Sequence, residues 1–259
     1  MSKLRINSIN FFAVLLSIIV VFSCKKKDPE PTSDPQITGT PTPVTFNTGL
    51  IDYYSFNGDA TSYSTSNDGI ISGATLVPGI ADSAYSYNGT TNSIDLGATV
   101  GGGVRTISLW FSSAVNIDTT LVETAAIIYR NDAIQSDEFG IYIGRSTWGP
   151  RKGRVTFSYK TDYIVSDSNS WTANSWHHVV AIISPTAGMK MYIDGVLQSD
   201  ANSFNTTAIA ARTEVTTLGT WGDASIRYFN GSIDEVYLWN RELSLTEVME
   251  LYNLTATLD

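Results

Sequence analysis

Cysteine is almost absent from the sequence, since Cys24 is the only one in 259 residues. A single thiol cannot form a disulfide within the chain, so the fold must depend on a hydrophobic core. Basic residues are also few, with 16 Lys and Arg against 25 Asp and Glu and a formal net charge of −9. Phosphate binding needs clustered positive charge, so this balance argues against nucleic acid as a partner.

Long hydrophobic runs are missing except for one near the N-terminus, at residues 9–22. This run is shorter than the roughly 20 apolar residues that a membrane-spanning helix needs. Lys3 and Arg5 precede it, and a positive start followed by a short apolar core is typical of a secretory signal peptide. The small residue Ser23 then stands directly before Cys24.

The stretch VFSC, which ends at Cys24, resembles the bacterial lipoprotein signal, in which the cysteine becomes the acylated first mature residue. The resemblance implies a lipoprotein signal peptide at residues 1–23 and lipidation at Cys24. It also implies an exported bacterial lipoprotein of the outer membrane that touches the membrane only through its anchor. Asp28 and Glu30 resemble surface-export signals and favour the cell surface. An ordinary signal peptide with an unmodified thiol is the alternative.

The segment after the cysteine is rich in proline and poor in large apolar side chains. We predict that residues 24–43 form an acylated cysteine followed by a disordered, semi-extended linker, because such a segment buries too little surface to offset its ordering entropy. The remaining residues, 44–259, are long enough for one large all-β domain.

Strand patterns recur through this domain as short β-branched and aromatic runs separated by Gly, Asn, Asp and Ser. Two of them alternate clearly, which predicts that each of these sets shares one face of its strand: Ile107, Leu109 and Phe111 in RTISLWFSS, and Val155, Phe157 and Tyr159 in GRVTFSYK. Asp194-Gly195 predicts a tight hairpin turn. Ser244 and Glu247 have the capping-box spacing and predict a short C-terminal helix at an edge or end of a sandwich.

Four stretches in a fixed order resemble the laminin-G-like, concanavalin A-like jelly rolls: LIDYYSFNGD, RTISLWF, SWHHVVAIISPTAGMKMYIDGVLQ and RYFNGSIDEVYLWNRELSLTEVMELY. The resemblance covers Leu50 to Tyr252. It implies an all-β fold, a two-sheet antiparallel jelly-roll sandwich with one short C-terminal helix, over residues 44–259. This fold hosts lectins, adhesion modules and glycoside hydrolases, so the fold alone does not decide the function.

Catalytic carboxylates are not evident in the sequence. Hydrolases of this fold commonly carry Glu-x-Asp-x-x-Glu along one strand, and the chain has no such array. Asp137-Glu138 and Asp234-Glu235 are adjacent pairs, and neighbours on a strand point to opposite faces. We therefore predict that the protein is not an enzyme and uses no organic cofactor. Carboxylates brought together from different strands keep a divergent glycoside hydrolase as an alternative.

A structural calcium ion is implied by the resemblance. Many members of the family hold one between the N-terminal strand region and the Asp of the late IDEV strand. In this chain the matching ligands are Asp234 with Asn57 or Asp59, although Ser62 stands where the family often has Asp. The alternative is that Asp234 binds loop backbone and Asp59 caps a turn.

Loop aromatics are the candidates for carbohydrate binding, because sugar rings pack on exposed aromatic faces. We predict a binding surface from three tryptophans in polar loops and the charged residues near them: Trp148, Trp171, Trp221, Arg145, Asp223 and Arg227. Each ring could instead cover its own loop. The preferred function is a lipid-anchored, envelope-exposed, non-catalytic module that binds a polysaccharide or glycan. An adhesion module with a protein partner is the first alternative.

Overall fold

The computed structural model describes residues 46–63, 67–98, 102–130, 138–201, 203–222 and 227–256. All of them belong to the unit Pro43–Asp259. The predicted signal peptide, Cys24 and the predicted linker lie outside the described residues. Within the described part of the chain, no helix is both long enough and apolar enough to cross a membrane.

The described residues form fifteen strands, one α-helix and a short 3-10 helix. In chain order the strands and the α-helix are β1 (Leu50–Tyr54), β2 (Ile70–Ser72), β3 (Thr75–Pro78), β4 (Ser83–Asn88), β5 (Ser93–Asp95), β6 (Thr106–Ser113), β7 (Ala125–Arg130), β8 (Phe139–Ile143), β9 (Val155–Tyr159), β10 (Asp162–Val165), β11 (Trp176–Ser184), β12 (Gly188–Ile193), β13 (Val196–Leu197), β14 (Thr216–Leu218), β15 (Asn230–Trp239) and α1 (Leu245–Ala256). The 3-10 helix, Gly149–Arg151, lies between β8 and β9.

The strands build two sheets. The eight-stranded sheet has the order β13-β12-β11-β6-β15-β4-β3, with β1 also paired to β15. The seven-stranded sheet has the order β10-β9-β8-β7-β14-β5-β2. Every pairing between these strands is antiparallel. The predicted all-β, two-sheet antiparallel sandwich is therefore confirmed.

The main core lies between the two sheets and follows the period of two that the sequence shows. One buried cluster contains all six side chains of the two predicted faces, so these are the faces that point inward: Ile107, Leu109, Phe111, Val155, Phe157 and Tyr159. Alternation places every second side chain of a strand on the same face, so each of these strands also presents an outer face. The outer face of the seven-stranded sheet carries the candidate site.

The predicted hairpin turn and helix cap are both present. Asp194 and Gly195 have φ of 51° and 76°, the two positive values that a type I′ turn requires. The backbone N–H of Ser244 donates to the Glu247 carboxylate at 2.7 Å, and the Glu247 N–H donates back to the Ser244 hydroxyl at 3.3 Å. This reciprocal pair is the capping box that begins α1.

Helix α1 packs on the outer face of the eight-stranded sheet, so the prediction that it seals an edge or end of the sandwich is wrong. Its residues Val248 and Leu251 share a buried cluster with Val180 of β11 and Trp239 of β15. Apolar side chains point outward from this sheet as well as inward, and the amphipathic helix covers them. Helix α1 therefore covers the part of the eight-stranded sheet where Val180 and Trp239 point outward.

Candidate functional site

The site is built on a row of residues that crosses four strands of the seven-stranded sheet. Tyr129 of β7 is paired with Gly140 of β8, Gly140 with Ser158 of β9, and Ser158 with Tyr163 of β10. Side chains of paired residues lie on the same face of a sheet. A Cβ placed on Gly140 would lie 2.0 Å from the Tyr129 ring, so the missing side chain lets this ring lie across the row.

Loop tryptophans pack onto this row and form an aromatic cluster. Trp221, from the loop after β14, stacks on Tyr129 with ring centroids 3.6 Å apart and an interplanar angle of 24°. Tyr142 lies 5.0 Å from Trp221. Trp148, from the loop after β8, meets Tyr142 and Trp221 edge-on at 5.6 Å and 5.8 Å. The two loops are thereby joined by their rings over one sheet face.

Three arginines surround Trp148. The guanidinium carbon of Arg151 lies 4.6 Å from the Trp148 ring, that of Arg227 lies 5.2 Å away, and that of Arg145 lies 5.4 Å away. Arg227 also lies 4.3 Å from the Trp221 ring. Such distances lie within the range of cation–π attraction, so the arginines and the tryptophan rings stabilise one another's positions.

A groove of about 410 Å³ opens beside these rings. Its volume is within the range of small-ligand sites in proteins. Besides the rings and arginines, its lining includes the acidic side chains of Glu138 and Asp162, the basic side chain of Lys160 and the polar side chain of Ser158. The groove thus combines apolar ring faces with donors and acceptors of hydrogen bonds, which is the chemistry that a sugar ring with hydroxyl groups requires.

The groove contains groups with shifted pKa values. Burial raises the pKa of Glu138, and the positive charge of Arg227 acts in the opposite direction. Burial also raises the pKa of Tyr142, whose hydroxyl accepts a hydrogen bond from Nη1 of Arg151 at 3.0 Å. Burial, and then the nearby charge of Arg145, lower the pKa of Arg227. Tyr142 therefore stays neutral near pH 7 and serves as a rigid, polar-tipped ring.

The structure brings together four of the six predicted carbohydrate-binding residues: Trp148, Trp221, Arg145 and Arg227. Trp148 is half-buried, whereas Trp221 is only 8% exposed because Tyr129 and Arg227 cover its faces. Asp223 lies outside the described residues. These two rings and two cations come from two loops, one after β8 and one after β14, and the fold places both loops over the same strands.

Trp171 does not belong to this surface, and its prediction as an exposed ligand-binding ring is wrong. It is 4% exposed and belongs to the core between the sheets. Its indole Nε1–H donates to the carbonyl of Gly153 at 2.7 Å, and its ring meets Phe111 edge-on at 5.9 Å. The polar loop around Trp171 turns the ring inward because the backbone there pairs with Ile117.

Sequence reasoning missed the strand residues of the site, Tyr142 and Tyr163, and also Arg151 and Lys160. Tyr142 alternates with the core residues Ile141 and Ile143, so the period of two already marks it as an outward aromatic side chain. Arg151 follows Trp148 in the same loop. An outward tyrosine on a strand beside a Trp- and Arg-containing loop was the signal available.

The three predicted calcium ligands each accept backbone N–H groups. Oδ2 of Asp234 accepts the N–H groups of Ile80 and Ala81 at 2.9 Å and 3.2 Å. Asn57 accepts the Ser83 N–H, and Asp59 accepts the N–H of Thr61 in its own turn. Among the described residues no group of three or more His, Cys, Asp or Glu side chains could hold a metal ion. The Asp234 carboxylate meets N–H donors, and calcium binding stays a prediction.

Asp234 and Glu235 are both buried, although they are neighbours on one strand. The register of β15 shifts between Asp234 and Tyr237, and Glu235 has a φ of 51°. This bulge turns Glu235 toward Tyr53 and Tyr237, whose hydroxyls donate to its carboxylate at 2.9 Å and 2.8 Å. Each of the two acids therefore has its own hydrogen-bond partners, and neither lines the groove.

Two stacked antiparallel sheets with a groove of rings on one outer face define a lectin-like jelly-roll sandwich. The family model described as the Concanavalin A-like lectin/glucanases superfamily matches residues 86–249. The chain belongs to this superfamily, in its laminin-G-type branch. No curated protein matches the chain.

Solved structures with the same fold include proteins of several kinds. Domain 4 of AbnA, a GH43 extracellular arabinanase from Geobacillus stearothermophilus in complex with arabinotriose, is 20% identical, with a TM-score of 0.60 over 78% of this chain and 98% of that one. The binding domain of botulinum neurotoxin DC in complex with rat synaptotagmin II is 15% identical, with a TM-score of 0.57 over 82% and 52%. Trypanosoma rangeli sialidase is 16% identical, with a TM-score of 0.58 over 82% and 33%. These likenesses show the fold alone.

Proposed function

We propose that the protein is a non-catalytic carbohydrate-binding module that a lipid anchor displays on the cell envelope. The groove beside Trp148 and Trp221 is the observation that carries the proposal. Flat rings offer a large apolar contact to the C–H faces of a sugar at a low cost in conformational entropy. The neighbouring Arg151, Ser158 and Asp162 supply donors and acceptors for the hydroxyls.

The likeness to AbnA domain 4, whose structure is a complex with arabinotriose, supports this use of the fold. The likeness to the neurotoxin binding domain, whose structure is a complex with synaptotagmin II, favours an adhesion module with a protein partner as the second candidate. The groove favours a saccharide chain, because its rings are gathered around a concave surface rather than spread over a flat one. Release of reducing ends from a bound polysaccharide would instead support a divergent glycoside hydrolase.

Replacing Trp148 with alanine should weaken glycan binding by about 30-fold, the effect of removing a central aromatic anchor worth about 2 kcal/mol. The ring is half-buried at the groove, so the fold should remain intact. Affinity electrophoresis on a panel of immobilised polysaccharides measures the change. Phe204→Ala is the matched control, because this ring is 86% exposed and does not line the groove.

Three outcomes would contradict the proposal. Retention of no polysaccharide at millimolar concentrations would favour the protein-binding alternative. Equal binding by the wild type and the Trp148→Ala variant would mean that glycan is held elsewhere. A loss in the Phe204→Ala variant as large as that in Trp148→Ala would show that the loss does not come from the groove.

Replacing Cys24 with serine should release the protein from the membrane. Two or more acyl chains hold a protein stably on a bilayer, and serine offers no thiol for acylation. The wild type is expected in the detergent phase after Triton X-114 partition of cells, and the Cys24→Ser variant in the aqueous phase. Detergent partition that is unchanged by the substitution would refute the proposed anchor.

Display on the cell surface is tested by treating intact cells with protease, because a displayed chain is cut and an internal one is not.

A further inference from the structure

The groove concentrates positive charge on a chain that is otherwise acidic. The formal net charge of the chain is −9, yet three basic residues, Arg151, Lys160 and Arg227, line the groove against two acidic ones, Glu138 and Asp162. Arg145 does not line the groove but also lies beside Trp148. Its Nη1 is 4.0 Å from a carboxylate oxygen of the exposed Glu123. Basic residues therefore outnumber acidic ones in the lining of the groove, which is the reverse of the balance in the whole chain.

Arg151 and Arg227 line the groove without a close ion pair to any described carboxylate. By contrast, Arg241 contacts Glu247 at 2.6 Å and Lys190 contacts Glu242 at 2.8 Å. Arg151 donates from Nη1 to the Tyr142 hydroxyl, and its Nε–H has no hydrogen-bond partner among the described residues. A guanidinium carries five N–H donors, and most of those on Arg151 make no hydrogen bond to the described residues.

The position of the two guanidinium groups prepares them for an anion. Arg151 lies between the rings of Trp148 and Tyr163, 4.6 Å from each, and Arg227 lies 4.3 Å from Trp221. Stacking on rings restricts the rotamers of a long side chain before a ligand binds. A guanidinium that is planar and already restricted can donate to both oxygens of a carboxylate and loses little further conformational entropy when it binds one.

We propose that the groove binds an acidic polysaccharide whose sugar rings carry carboxylates. This inference rests on the proposed function of the same groove. In it, the exposed part of Trp148 contacts the sugar rings, Trp221 supports Trp148 from behind, and Arg151 and Arg227 bind the carboxylates. Glu138 and Asp162 remain to accept hydrogen bonds from sugar hydroxyls, so the groove can bind a chain in which charge and hydroxyls alternate along each unit.

The test compares polygalacturonate with the same polymer after reduction of its carboxyl groups to alcohols. The backbone is shared, so a difference in affinity measures the carboxylates alone. The wild type should bind polygalacturonate at least tenfold more tightly, and this preference should decrease as NaCl rises from tens to hundreds of millimolar. Arg151→Gln and Arg227→Gln should each weaken binding of polygalacturonate by roughly tenfold more than they weaken binding of the reduced polymer. Arg212→Gln, which removes an exposed charge outside the groove, is the control.

Each result has one interpretation. Equal affinity for the two polymers, or unchanged binding in both arginine variants, overturns the inference. Tighter binding of dextran sulfate than of polygalacturonate overturns the assignment to carboxylates and indicates that the groove binds sulfate esters. A neutral glycan whose retention depends on Trp148, with no binding of either charged polymer, refutes the inference but keeps the proposed function. Retention of no glycan at all refutes both.

Discussion

Replacing Trp171 with alanine is expected to lower the free energy of unfolding by about 3–5 kcal/mol, the usual cost of removing a large aromatic side chain from a core. The ring is 4% exposed and packs against Phe111 and His177. Its Nε1–H satisfies the carbonyl of Gly153 at 2.7 Å, and the substitution leaves that buried acceptor without its donor. Both losses act on the folded state.

Urea unfolding of the purified protein, followed by circular dichroism, measures this effect. Trp171→Phe is the matched control: it keeps an aromatic ring, loses the hydrogen bond, and should cost roughly half as much. The folded fraction of Trp171→Ala should bind glycan as the wild type does, because the ring does not line the groove. Unchanged stability together with lost binding would restore Trp171 to the ligand surface.

The contrast between Trp171 and Trp148 shows what local sequence can predict. Both tryptophans stand in loops rich in small and polar residues, and both received the same prediction. Trp171 is buried because its backbone pairs with Ile117, more than fifty residues away, and Trp148 packs on rings of another loop and strand. Composition identifies a loop, but burial of its side chain depends on contacts between distant segments that a single sequence does not reveal.

Regular alternation was the part of the sequence that predicted most. It grouped correctly the residues that share a face on β6 and on β9, and the turn and capping residues predicted a hairpin and the start of α1. The same rule failed at Glu235, where a bulge in β15 changes the direction of the side chain. The row from Tyr129 to Tyr163 depends on the register of four strands, and register is set by pairing between strands rather than by any one of them.

Asp234 is the residue whose loss should disturb the loop 79–83 most. Its Oδ2 accepts two backbone N–H groups of that loop, and its Oδ1 accepts the Glu235 N–H at 2.8 Å. A Cβ placed on Gly79 would lie 2.4 Å from Oδ2, so the loop backbone approaches the carboxylate as closely as a glycine allows. Asp234→Ala leaves three N–H donors without their acceptor, and we expect a loss of about 3–5 kcal/mol in the free energy of unfolding.

The cost of Asp234→Ala should also depend on pH in a direction fixed by the shifted pKa. Burial raises the pKa of Asp234 to about 7, against roughly 3.9 in an unfolded chain, while its backbone N–H partners act in the opposite direction. A raised pKa in the folded state contributes stability that is complete below about pH 4 and is lost as pH rises through about 7. The difference between wild type and variant should therefore be largest in acid and shrink toward neutral pH.

Urea titrations of wild type and Asp234→Ala at several pH values between 4 and 8 test both expectations. Asp59→Ala is the matched control, because Asp59 is exposed and accepts the N–H of Thr61 in its own turn, so its removal should cost less than about 1 kcal/mol. Melting of the wild type in millimolar CaCl₂ and in EDTA separates the two roles considered for Asp234. If its N–H partners alone explain its burial, Tm is the same in both. A Tm that rises by several degrees with calcium, in the wild type but in neither variant, would instead make Asp234 and Asp59 ligands of an ion.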